Sequence, residues 1–185
     1  MIIAKMERPA GTATGVTKKG ARLAQPIKRA SLKATAERAP KSMKDLRINK
    51  GMFGKLVIGK PVVGIEAIKA IREGYPATIL KSASGFLGVP EARIHKVAHV
   101  PSTTANRLKK RGAKIDLGVT ERVYRMGSIT RMAIEVFDET DTAVEWMRQP
   151  NRALGNIAPL DLLDTEPGAV SVRQVLNAIA TGGVA

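Results

Sequence analysis

Two histidines four residues apart, His95 and His99, are the first residues in the chain whose types and spacing could do chemistry. On a helix that spacing puts both imidazoles on one face, where they could grip a zinc ion. A zinc-protease helix carries a glutamate directly after its first histidine, and here Lys96 stands in that place. No third ligand lies nearby, and the chain has no cysteine. The second candidate is G-K-L-V-I-G-K-P over residues 54–61, within one residue of a phosphate-binding loop. Such a loop needs Ser or Thr after the lysine to hold magnesium, and Pro61 occupies that position. Leu56, Val57 and Ile58 are bulky where the backbone would wrap a phosphate, so the segment reads as an extended apolar stretch packed onto the domain. No Ser/His/acid or Cys/His set is available, and Asp161, Asp164 and Glu166 fall at a loop and a helix cap, where structural roles suffice. The chain reads as a binding protein, not an enzyme, with no metal and no cofactor.

What remains is charge. Of the net +15, residues 1–60 hold 15 Lys/Arg against 3 acids, residues 61–111 hold 9 against 3, and residues 112–185 hold 7 against 10. A basic front suits a polyanion and a mildly acidic back suits a protein partner. The six aromatic residues are too few for a platform that stacks single-stranded bases. Residues 1–50 are rich in Ala, Thr, Lys, Arg, Gly and Pro without an apolar period, which predicts a disordered basic arm, with the arm region as a whole placed at residues 1–60. The missing cysteines fit a reducing cytosol. The N-terminus lacks the apolar segment of a secretory signal, and no apolar run approaches the ~18–20 residues that span a bilayer. The expectation is a cytoplasmic protein without a membrane partner.

The elements that would position DNA-binding chemistry lie in residues 61–118. A helix is expected from about Gly64 to Glu73. Ile79, Leu80, Ala83, Phe86 and Leu87 fit the buried face of the next. Pro90 opens another helix with Ile94, Val97 and Ala98 inward, His99–Val100–Pro101 makes the turn, and Ser102–Arg111 forms a third helix ending at Gly112. His99 stands where such a turn favours glycine, and Ser102 is the expected cap. In a helix-turn-helix the third helix enters the major groove, early residues on base edges and flanks on phosphates. Ser102, Thr103, Thr104, Asn106 and Arg107 are the candidate readers, and Lys109, Lys110 and Arg111 the candidate phosphate contacts.

Residues 119–185 read as a second helical unit. Thr120–Phe137 is the longest expected helix, with Val123, Met126, Ile129, Ala133, Val136 and Phe137 apolar around more than half its circumference. That face, with Met132, is more than one small core needs, which predicts a homodimer through this helix. The next helix carries Ala143, Val144, Trp146 and Met147 on one side and stops at Gln149, because Pro150 disfavours helical geometry before it. Asn151 and Gly155 suit a tight loop, Pro159 starts a short helix made greasy by Leu160, Leu162 and Leu163, and Thr165 caps a last helix ending near Ala180.

The order of residues from Trp146 to Gly168 is specific. P-N-x-A-L-G followed by P-L-x-L-L-x-T, carried by Pro150, Asn151, Ala153, Leu154, Gly155, Pro159, Leu160, Leu163, Asp164 and Thr165, closely resembles the C-terminal toxin-binding module of the Xre/MbcA/ParS antitoxins. The resemblance reaches back to about residue 64, and Ala158 departs from it where a Ser or Thr cap is expected. It implies a type II antitoxin that neutralises a cognate RES-domain, NAD-consuming toxin by blocking its active site, and that binds operator DNA through an Xre-like helix-turn-helix to repress its own operon. It also implies a homodimer within a higher toxin–antitoxin complex.

Toxin contacts are expected at Asn151, Arg152, Ala153, Leu154 and Gly155, at Arg173, and at Thr181, Gly182 and Gly183, because small residues enter a narrow cleft and a glycine pair lets the backbone adapt to it. The expected fold is all-α: a helix-turn-helix-containing bundle followed by a small helical toxin-binding module, residues 119–185. The alternative is a stand-alone helix-turn-helix regulator or nucleoid-binding protein whose C-terminal unit only dimerises.

Overall fold

A computed structural model of the chain describes residues 51–183. The arm expected over residues 1–50 lies outside the described residues. Within them the fold is all-α, with eight α-helices, two 3-10 turns and no named strand.

The core reaches further toward the N-terminus than the apolar period suggests. Residues expected as an extended stretch form helix α1, Met52–Ile58, with Phe53 and Val57 buried. Phe53 meets Phe86 edge-on at 5.7 Å between ring centres, and its backbone N–H donates to Ser82 Oγ at 3.0 Å. The helix passes close to Gly127, where an added Cβ would meet the Leu56 side chain at 2.6 Å. Arg131 closes the end of α1 by donating to the carbonyls of Leu56 and Gly59, groups that no further turn of helix satisfies. Those carbonyls serve α1, and Lys55 is exposed.

Helix α2 (Gly64–Glu73) has the expected bounds, and it packs on the central helix α6, Leu117–Phe137. The central helix starts earlier than the expected Thr120, because Asp116 caps it by accepting from Val119 N–H at 2.9 Å. Thr120 and Thr130 lie buried in its face. Each donates its hydroxyl at 2.7 Å to the carbonyl four residues back, Asp116 and Met126, so neither leaves an orphan polar group.

Val123, Met126 and Ile129 are fully buried against the chain's own helices, with Met132 and Val136 half-buried. The single chain thus already covers most of the face expected to join two subunits.

Helices α3 (Thr78–Leu87), α4 (Glu91–Val97) and α5 (Ser102–Lys110) follow in the expected order. The chain leaves α5 and returns to where α3 began. Ala77 N–H donates to the Ala113 carbonyl at 3.0 Å and Ile115 N–H to the Tyr75 carbonyl at 2.8 Å, an antiparallel bridge that closes the three helices at their base. Helix α7 (Thr140–Arg148) turns back onto α6 after Asp138, whose φ of 54° makes the reversal, and Trp146 settles on Phe137 at 5.6 Å. Helix α8 (Glu166–Ala180) packs against α6 and both 3-10 turns. Among the described residues no helix is long and apolar enough to cross a membrane.

Candidate functional site

The first candidate surface is α5. Its inward side consists of buried Ala105 and half-buried Leu108, so the helix is held against α4 by little and shows most of its circumference to solvent. Ser102, Thr103, Asn106, Arg107, Lys110 and Arg111 are exposed, and Thr104 and Lys109 are half-buried. Ser102 does not cap the helix as expected. Pro101 holds that position, and the Ser102 hydroxyl lies 3.0 Å from Nδ1 of buried His95. Lys109 reaches back to Glu91 at 3.9 Å. His99 adopts the left-handed conformation its position demands, with φ of 53°, and its Nε2 sits 3.5 Å from Asp164 Oδ2. The two histidines therefore serve different neighbours, Ser102 on α5 and Asp164 in the C-terminal unit.

The second candidate surface follows α7. Residues Asn151–Ile157 fold into a closed knot with a 3-10 turn at Arg152–Leu154. The Asn151 side chain accepts from Ala153 N–H at 2.8 Å, its carbonyl accepts from Leu154 and Asn156, and its N–H donates to the Ile157 carbonyl at 3.1 Å. Gly155 and Asn156 both turn left-handed, at φ of 68° and 61°. Of the toxin contacts expected here, Arg152, Ala153 and Gly155 are exposed. Asn151 organises the knot, and buried Leu154 anchors it.

Behind the knot lies the short helix expected from Pro159, formed as a second 3-10 turn, Pro159–Asp164. Leu160 and Leu163 are fully buried. Ala158 is buried and makes no cap hydrogen bond, in keeping with the missing hydroxyl. Thr165 does cap α8, accepting from Gly168 N–H at 3.2 Å. Burying two leucines in so short a turn contributes roughly 3–6 kcal/mol in all, enough to dock a piece with no stability of its own.

Charged groups fix this assembly from two sides. Arg125 of α6 is only 8% exposed. It donates to the Leu163 carbonyl at 3.2 Å and pairs with Glu121 at 2.5 Å and Glu166 at 3.0 Å. Arg173 adds a pair to Glu166 at 2.8 Å. The hydrogen bond from Arg173, then the charges of Arg173 and Arg125, hold the Glu166 carboxyl below the ordinary glutamate range. From the other side Arg93 of α4 grips Asp161 with two 2.8 Å bonds and reaches the Arg148 carbonyl at 3.3 Å. Sequence reasoning assigned structural roles to Asp161 and Asp164 but missed Arg93 and Arg125. The available signal was an arginine set within an otherwise apolar helical face.

The tail differs from the flexible segment expected. Gly182 is left-handed at φ of 75° and donates to the Ile179 carbonyl, and Gly183 N–H donates to the Ala178 carbonyl at 2.7 Å. Thr181 Oγ1 adds a bond to the Asn177 carbonyl at 3.0 Å. This is a Schellman closure, so the glycine pair terminates α8 and presents a fixed edge, not an adaptable one.

The family profile of the antitoxin Xre/MbcA/ParS C-terminal toxin-binding domain matches residues 132–182, which span the end of α6, α7, the knot, the leucine turn and α8. Residues 132–182 are similar to that toxin-binding domain. Relatives extend the likeness toward the N-terminus. An antitoxin Xre of Yersinia enterocolitica is 26% identical over 127 residues, 68% of this chain and 86% of that protein. An antitoxin Xre of Photorhabdus laumondii is 28% identical over 113 residues, 60% of this chain and 76% of that one. A Prs ADP-ribosylating antitoxin of a Sphingobium species is 28% identical over 130 residues, 65% and 82% of the two chains. The toxin-binding domain thus coincides with the part of the fold that Arg93 and Arg125 lock in place.

Proposed function

We propose that this chain is the antitoxin of a type II pair, neutralising a RES-domain toxin by seating the Asn151–Ile157 knot in the toxin's active-site cleft. The carrying observation is the toxin-binding domain of residues 132–182, in which a small, exposed, rigid loop is offered by a docked scaffold. A rigid loop loses little entropy on binding, which favours tight inhibition. Arg152 and Ala153 make the direct contacts, with Arg173 and the capped edge Thr181–Gly183 at the rim. Asn151 and Leu154 hold the loop's shape. An NAD-consuming partner is in keeping with the relative named a Prs ADP-ribosylating antitoxin, since ADP-ribosyl transfer draws its group from NAD. Such a blocking role needs no catalysis by the chain itself.

In this reading the region of residues 61–118 binds operator DNA and represses the operon. Exposed Asn106 and Arg107 on α5 face base edges, Lys110 and Arg111 face phosphates, and residues 119–185 serve the toxin. The test is co-expression with the product of the neighbouring gene, which this reading expects to be a RES-domain toxin. Growth is restored by the wild type and lost with Arg152→Glu/Ala153→Arg at equal protein level. Equal rescue by both would place inhibition elsewhere. If the toxin stays active against the wild-type chain, the stand-alone regulator is the better reading.

A further inference from the structure

The knot Asn151–Ile157 is tied within itself, but its own bonds do not fix how it stands on the bundle. Asn151 N–H donates to the Ile157 carbonyl at 3.1 Å and the Asn151 carbonyl accepts from Asn156 at 2.8 Å, so the closure joins the loop only to itself. The direction of the loop depends on its two legs. One enters from the end of α7 through Gln149 and Pro150, and the other leaves through Ala158 into the leucine turn. A single guanidinium spans them. Arg93 Nη2 donates to the Arg148 carbonyl on the entering leg at 3.3 Å, and Nε and Nη2 each donate at 2.8 Å to one carboxylate oxygen of Asp161 on the leaving leg. The Arg148 carbonyl is the last of α7, which no later turn of that helix satisfies. The turns on either side of α4 meet the same stretch twice more. An added Cβ at Gly88 would lie 2.8 Å from Arg148 Nη1, and His99 Nε2 sits 3.5 Å from Asp164 Oδ2.

We propose that Arg93 is a positioning residue for toxin binding: it clasps the neck of the knot and so sets the direction in which Arg152 and Ala153 are presented. This rests on the toxin reading above, and it goes beyond that reading because Arg93 lies on α4, outside residues 132–182 and within the region given to DNA. The chemistry selects arginine. A planar fork places two parallel donors on a carboxylate and still reaches a carbonyl beside it, whereas a lysine ammonium lacks that fixed geometry. Exposure selects a local role over a global one. The Arg93 and Asp161 side chains are 27% and 38% exposed, so their pair contributes little to the fold as a whole. The leucine turn stays docked without it, since Leu160 and Leu163 are fully buried. What the clasp removes is freedom of the neck, which a loop entering a cleft would otherwise lose on binding.

Amide exchange of the full chain reads the clasp without any partner. In Arg93→Ala the amides of Asn151 and Asn156, which close the knot, should exchange at least about tenfold faster, while those of Met126 and Thr130 in α6 keep wild-type rates. Arg93→Lys retains the charge and the stem, should fall between the two, and carries the test if the alanine variant fails to fold. Titration with the purified product of the neighbouring gene reads the consequence. Arg93→Ala should raise Kd at least about tenfold, although Arg93 is no part of the exposed edge. Wild-type exchange in the knot of the folded variants overturns the proposal, as does equal acceleration in α6, which would make Arg93 a prop of the whole fold. Equal Kd for wild type and Arg93→Ala sinks the inference alone, because the direction of the knot would then not matter to the partner. A wild type that does not bind at all sinks the toxin reading, and this inference with it.

Discussion

Replacing Arg125 by Ala tests whether charge holds the leucine turn and α8 onto the central helix. Arg125 donates to the Leu163 carbonyl at 3.2 Å, and a bond from a charged donor contributes ~1.5–3 kcal/mol. Its carboxylate partners Glu121 and Glu166 are 43% and 53% exposed, so water screens both pairs to ~0.2–1 kcal/mol each. Losing the buried stem removes about two methylenes' worth of burial, ~1.6 kcal/mol. Against this stands the desolvation of a guanidinium, several kcal/mol, which the alanine no longer carries. The balance is a loss of about 2 kcal/mol, or a fall in Tm of roughly 4–8 °C for a folded unit of this size. Thermal unfolding followed by circular dichroism at 222 nm reads it directly. Arg125→Met keeps the stem and should fall between wild type and Arg125→Ala. Should Arg125→Ala melt within 1 °C of wild type, the network is ornamental, and the leucines alone seat the turn.

The arginine-held carboxylates set the acid response. Glu166, pulled down by Arg173 and Arg125, and Glu145, pulled down by Gln149 and Arg148, both titrate lower folded than unfolded. Their contribution is present above the ordinary carboxylate pKa, ~4.3, and is lost as pH falls through the folded values. Urea midpoints should therefore be level from neutral pH to about 5 and drop below it, with a shallower drop in Glu166→Gln. Gly182→Ala should destabilise by ~1 kcal/mol, because alanine resists the left-handed conformation at φ of 75° that the Schellman closure needs. A Tm unchanged in that variant would mean the cap does not hold α8. On DNA, Arg107→Ala should reduce the preference for operator over random duplex by ~1–3 kcal/mol, while Lys110→Ala should weaken both alike and lower the salt slope by about 1. Unchanged operator binding in both variants would make α5 structural.

Helix order was legible because its signals are local. Pro90, Pro150 and Pro159 mark helix boundaries, Thr165 is a cap that any reader of the sequence can place, and α2 and α5 keep their expected bounds to within a residue. Helix α1 was not legible, because seven residues between Gly51 and Gly59 are too few to show a helical period, and only packing on Gly127 makes them helical. The start of α6 was hidden by Leu117–Gly118, which reads as a break until the Asp116 cap is seen. Periodicity also cannot say which chain covers an apolar face. Val123, Met126 and Ile129 look like an interface and are buried within the chain's own core, while the apolar Ile65 and Ile68 of α2 are exposed. At the candidate site the composition of the loop was legible, but not the division of labour inside it. That Asn151 and Leu154 face inward while Arg152 and Ala153 face out depends on two consecutive left-handed residues, Gly155 and Asn156. The tail misled for a related reason: a glycine pair has the same composition in a flexible end and in a helix cap.

The central claim is that the exposed edge of the Asn151–Ile157 knot is the surface that inhibits the toxin. Calorimetric titration of the purified product of the neighbouring gene, the proposed toxin, with wild type, Arg152→Glu and Ala153→Arg, tests it most directly. Arg152 and Ala153 are exposed and, among the described residues, the Arg152 side chain has no hydrogen-bond or ion-pair partner, so both variants should keep the wild-type Tm. Seated in a cleft, either change should weaken binding by ~2–4 kcal/mol, about thirty- to thousandfold in Kd. Wild-type affinity in both folded variants would contradict the account and move the inhibitory surface away from the knot.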